Sequence, residues 1–136
     1  MFDDALAELA AIPAEAWQDP GAEEVRIVIL TQARRWSEAL AFSRDLCVRL
    51  PEAPAGFIHA AFCLHGLGRS AEARDTLLNG PRSLEREPTY HYNLACYECA
   101  LGNLDSARRW LEQSFALDKM FREFAKTDPD LDPLRK

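Results

Sequence analysis

The sequence predicts an all-α solenoid assembled from helix–turn–helix units, on three observations. Pro20, Pro54 and Pro88 stand 34 residues apart. Ala39, Ala73 and Ala107 keep the same 34-residue period. Leu30 with Leu64, and Gly68 with Gly102, repeat at that spacing again. A period of about 20 to 50 residues marks stacked-repeat architectures, in which a unit buries its apolar face only against its neighbours.

Each column has a physical reason. Proline suits the first turn of a helix, where its missing N–H has no intrahelical partner to lose, so Asp19-Pro20, Ala53-Pro54 and Glu87-Pro88 read as helix starts. Gly68 and Gly102 can take the left-handed conformation that ends a helix, and Asn103 is placed to cap the next one. Ala73 and Ala107 then fall in second helices, as small residues where two helices cross closely, with Ala61 and Ala95 on the facing first helices. A bulky side chain at such a crossing costs roughly 1–3 kcal/mol by overpacking.

Taken in order, residues 2 to 12 place Phe2, Leu6, Leu9 and Ile12 at helical spacing, and Pro13 ends the run. This predicts an N-terminal capping helix and turn over 1–19. The first unit follows over 20–53, with Trp36, Leu40, Phe42 and Leu46 available to the core. The second unit covers 54–87; its second helix reaches about Asn79, where Gly80-Pro81 stops it, and RSLERE is a helix end or a loop. The third unit covers 88–118. After it, Met120, Phe121 and Phe124 predict a short helix over about 119–126. A turn follows whose Leu131 and Leu134 fold onto the third unit, so that 119–136 closes the apolar end of the stack.

The 34-residue period, the small residues at the crossing and the run Leu94-Ala95, Leu101-Gly102, Ala107 and Leu111 resemble the tetratricopeptide repeat family. The resemblance implies a right-handed superhelical stack of three units between capping helices. It covers about residues 20 to 118, and the third unit matches most closely. In the first unit Arg26 and Ile27 stand where an apolar and a small residue are usual, which predicts a displaced or tilted first helix.

The same resemblance implies a concave face lined by first helices. Glu24, Ile58 and Tyr92 form one row, Val28, Phe62 and Cys96 the next, and Thr31, His65 and Cys99 a third. His59, His65 and Asn93 are polar points in an apolar and aromatic lining, which suits a protein or peptide segment. The competing expectations are coverage by the chain's own termini or a homodimer through the same face. The chaperone-binding subclass holds a terminal carboxylate with lysine, arginine and asparagine. Here the matching places hold Glu24, Val28, His59 and Thr89, with only Asn93 agreeing, so no such clamp is expected. Secretion-type chaperones of about three repeats share the length, acidity and apolar lining.

Composition bounds the rest. A chain of 136 residues with 48% hydrophobic content fits one domain. A net charge of −6, with basic residues in ones and twos, disfavours nucleic acid as a partner. MFDDALAELA lacks the basic start of a leader, and the apolar run VRIVIL is far too short for a membrane span. Cys47, Cys63, Cys96 and Cys99 sit among apolar residues at helical spacing, as expected of reduced thiols in a cytoplasmic protein.

Three constellations could carry chemistry. Cys96-x-x-Cys99 places two sulfurs on one helix face near His65 or His59, a soft donor set for zinc, but it lacks the second pair of a strong zinc motif and reads as packing. Asp128, Asp130 and Asp132 alternate like a calcium loop without its central glycine or terminal glutamate, and read as capping residues. His59, His65 and His91 have no phosphate loop or nucleophile elbow beside them and read as hydrogen-bonded structural histidines. The chain is therefore expected to be non-enzymatic, with no metal and no cofactor.

Overall fold

A computed structural model describes residues 19–135 of the chain. The N-terminal capping helix expected over 1–19 lies outside the described residues, apart from Asp19. Every regular element among the described residues is helical. Helices α1 (Pro20–Gln32), α3 (Pro54–Gly66) and α5 (Pro88–Ala100) each have 13 residues and begin at the three repeating prolines. Their partners α2 (Trp36–Arg49), α4 (Ser70–Leu78) and α6 (Leu104–Leu117) begin 34 residues apart as well. A 3₁₀ turn over Arg82–Arg86 follows α4, and α7 (Met120–Thr127) with a second 3₁₀ segment, Pro129–Arg135, follows α6.

The turns inside the three units are built from one hydrogen-bond pattern. The amides of Arg35, Arg69 and Asn103 reach back to the carbonyls of Leu30, Leu64 and Glu98. Those of Arg34, Gly68 and Gly102 reach Thr31, His65 and Cys99. This pair of bonds is the Schellman motif, and it requires a left-handed residue after the helix cap. Gly68 and Gly102 supply φ of 79° and 83°. In the first unit Arg34 occupies the same place at φ 59°, where a Cβ is strained. Replacing Arg34 by glycine is expected to raise stability by about 0.5–1 kcal/mol, the relieved strain exceeding the added freedom of the unfolded chain. A urea midpoint that stays put or falls in Arg34→Gly contradicts this.

Asn103 departs from the expected role. It stands at the N-cap of α6, but its side chain makes no capping bond and donates instead to Glu98 Oε1 at 3.3 Å.

Consecutive helices pack on each other from α1 to α6, and the first helices also touch in succession, α1 on α3 and α3 on α5. At the crossings Ala39, Ala61, Ala73, Ala95 and Ala107 are fully buried, as the small-residue columns require. Leu64, Leu77, Leu94 and Tyr97 fill the space between them. Ile27 is likewise fully buried, so α1 keeps the frame with a larger residue at its crossing. Arg26, beside it, lays its guanidinium over the Phe42 ring at 3.6 Å, a cation–π contact that gives a charged side chain an apolar face to rest on. Leu84 anchors the 82–86 turn in the core, and the Ser83 hydroxyl ties it to the Glu52 carbonyl at 2.7 Å.

Candidate functional site

The succession α1, α3, α5 brings together most of the residues assigned to the inner face. Glu24, Val28, Ile58 and His59 are half-buried, while Phe62 stays 42% exposed. Phe62 meets Trp36 edge to face at 5.7 Å, which fixes its ring without covering it. Glu24 Oε1 and His59 Nε2 lie 2.9 Å apart and bridge α1 to α3. They line a shallow hollow of about 330 Å³ together with Ile58, Glu87 and Thr89. Among the described residues this N-terminal half is only partly covered, and it mixes apolar surface with carboxylates.

The other half is covered. Tyr92, Cys96 and Cys99 are only 7%, 4% and 5% exposed, and the segment from Phe121 to Leu131 lies beside them. The Tyr92 hydroxyl donates to Asp128 Oδ2 at 2.5 Å, and the Phe121 ring sits 5.2 Å from the Tyr92 ring. Asp130 Oδ2 lies 3.3 Å from His65 Nε2 on α3, and Leu131 is 1% exposed. The expected row therefore divides into an open part on α1 and α3 and a part on α5 occupied by the chain's own C-terminal segment.

Electrostatics follow the burial. Loss of water drives the Cys96 thiol and the Tyr92 hydroxyl well above their ordinary ranges, with Asp128 and Asp130 pushing the same way. Burial raises Cys99 too, and holds Cys47 and Cys63 up at about 11. His65 lowers the Asp130 carboxyl by hydrogen bond and charge against the opposing effect of burial. All four cysteines are free. Asn93 is half-buried next to the deeply buried Tyr97 hydroxyl, which it pulls down against a strong rise from burial.

Each histidine has a partner. His65 uses both ring nitrogens, Nδ1 with Ser70 Oγ at 2.8 Å and Nε2 with Asp130, so neither is turned toward Cys96 or Cys99. His91 Nε2 donates to the Glu85 carbonyl at 2.9 Å. Among the described residues no three His, Cys, Asp or Glu side chains gather as a group able to hold a metal ion. A cleft of about 510 Å³ also opens beside Glu85, Tyr90, His91 and Trp110. Tyr90 stands two residues, some 200° of helix, from Tyr92, so this cleft is on the far side of α5 from the inner face. Tyr90 packs edge to face on His91 and on Trp110, and the contacts of Tyr90 and His91 with Trp110 fasten α5 to α6.

Sequence reasoning treated Asp128 and Asp130 as capping residues. Asp128 does cap, with Oδ1 accepting the Asp130 amide at 3.0 Å, but both carboxylates also reach across to other helices. The available signal was an apolar residue set between carboxylates just after the last unit, and nothing in it names the helices they meet.

Comparison with protein-family models, curated proteins and solved structures gives no match. Periodicity, packing and the chemistry of the inner face therefore carry the functional reading. No helix among the described residues is long and apolar enough to cross a membrane.

Proposed function

We propose that the chain is a tetratricopeptide-type domain, a right-handed stack of three units, that binds a segment of another protein on the inner face of α1, α3 and α5. Its work is non-enzymatic, in the manner of a scaffold or chaperone. Support for the repeat assignment comes from helix starts in register at 34 residues, the buried alanine columns and the contacts of successive first helices.

The observation that carries the binding reading is Phe62. A large ring held against Trp36, 42% exposed and about one helical turn from Ile58 and His59 on α3, is apolar surface the fold leaves unused. Glu24 and Glu87, which line a hollow with Ile58 and His59, fit a segment that brings apolar side chains together with a basic group.

The test is the paired substitution Phe62→Ala and Ile58→Ala in the full chain. Helicity is expected to stay as in the wild type, while partner capture from the native cell falls at least tenfold, as for removal of a central apolar anchor. Undiminished capture removes the reading. Self-association through this face is the competing account, and solution mass measured with and without the substitutions separates the two.

A further inference from the structure

The covered half of the inner face shows what chemistry it accepts, because a segment of this chain is seated there. Two carboxylates two residues apart, Asp128 and Asp130, engage Tyr92 on α5 and His65 on α3, and Leu131 beside them is 1% exposed. Arg135 folds the segment into a closed turn, donating to the Ala125 carbonyl at 2.5 Å and the Asp128 carbonyl at 2.6 Å and pairing with Asp132.

Closing the end of a helical stack needs only apolar cover, which Phe121, Leu131 and Leu134 provide. The two carboxylates do something further, since they satisfy polar groups on two different helices. Whatever replaced the segment would have to present acceptors at the same spacing, or leave a buried hydroxyl unpaired. The helix that leads into the segment is held less deeply than Leu131: no residue of α7 is fully buried, Met120 and Phe124 are 67% and 59% exposed, and Phe121 and Ala125 are its contacts with the core. Displacement therefore has to withdraw Leu131 from the core, while α7 itself gives up little buried surface.

We propose that Asp128–Leu131 is the resident occupant of the inner face over α3 and α5, and that a partner docks there by displacing it with the same chemistry, an acidic segment of pattern Asp-x-Asp-Leu. The inference rests on the reading of the inner face as a binding surface and names the ligand class for its C-terminal half. The open half and the covered half adjoin through Phe62 and His65, three residues apart on α3, so one segment can run across both.

The experiment uses the full chain, the triple variant Asp128→Asn, Asp130→Asn, Leu131→Ala, and the milder Tyr92→Phe, which keeps the ring contact and removes one hydrogen bond. Iodoacetamide labelling is read site by site by mass spectrometry. Cys96 and Cys99 are expected to label roughly tenfold faster in Tyr92→Phe, the loss of one hydrogen bond to a charged group, and faster still in the triple variant. Cys63, in the core away from the segment, serves as the control for global unfolding and keeps its rate. A fluorescent peptide with the sequence of residues 127–135 is then titrated against both. It is expected to bind the triple variant at least tenfold more tightly than the wild type, where the resident segment competes intramolecularly. It should also restore the slow labelling, and its Asn-substituted form should do neither.

Unchanged Cys96 and Cys99 labelling in both variants overturns the proposal, as does equal peptide binding to wild type and variant. Faster labelling with no peptide binding also overturns it, leaving the segment as cover only. Peptide binding that survives while partner capture ignores Phe62 and Ile58 would instead count against the function proposed for the open half alone.

Discussion

Replacing Leu94 by alanine is expected to lower stability by about 3 kcal/mol, and the Tm by roughly 10 °C for a chain of this length. Leu94 is fully buried on α5, the helix that contacts α3, α4, α6 and the C-terminal segment. Truncation removes buried methyl groups and leaves a void that the surroundings fill only in part, because the helix that carries it is packed between several elements. The cost therefore falls on the joints between units as well as on the third unit. Chemical denaturation of Leu94→Ala against the wild type measures it. A loss under about 1 kcal/mol would mean that the core is not continuous through α5.

Adding volume where α5 and α6 cross is expected to be almost as harmful. Ala107 on α6 is fully buried where α5 and α6 cross, in the column shared with Ala39 and Ala73. Leucine there adds three carbons to a closed crossing and is expected to cost roughly 1–3 kcal/mol, by forcing the helices apart or the side chain off its rotamer. The contrast tests mechanism, since Leu94→Ala removes volume and Ala107→Leu adds it. If packing at a shared crossing is the cause, combining the two returns part of the loss. Strict additivity of the denaturation energies in Leu94→Ala/Ala107→Leu would show that the two sites do not share a space.

Helix starts were legible in the sequence because proline and alanine restrict their positions sterically, and the structure begins its helices on those prolines. The left-handed residue of the first unit was not, since arginine gives no hint of positive φ. The backbone bonds that impose it on Arg34 depend on the chain's path and not on the side chain. Arg26 and Ile27 pointed to a displaced or tilted first helix; α1 starts and stops in sequence register with α3 and α5, with Ile27 fully buried and Arg26 against the Phe42 ring. The rows expected on the first helices gave no sign that Tyr92, Cys96 and Cys99 would be buried beside the C-terminal segment while Phe62 stays exposed. Asp128 and Asp130 have the local spacing of turn residues, and that pattern is the same whether a carboxylate stops at its own backbone or also reaches a tyrosine on another helix.

The brevity of α4 has its own consequence. It has 9 residues where α2 and α6 have 14, and only a 3₁₀ turn takes up the remaining length. Because consecutive helices pack on each other, cohesion between the front and back of the chain runs through α4, and the shortest of the paired helices sets where the packing parts. Amide protons of α4 should be the first of the paired helices to trade with deuterium, and a gradual pull on the two ends should split the chain there, into a front piece ending at α3 and a back piece beginning at α5.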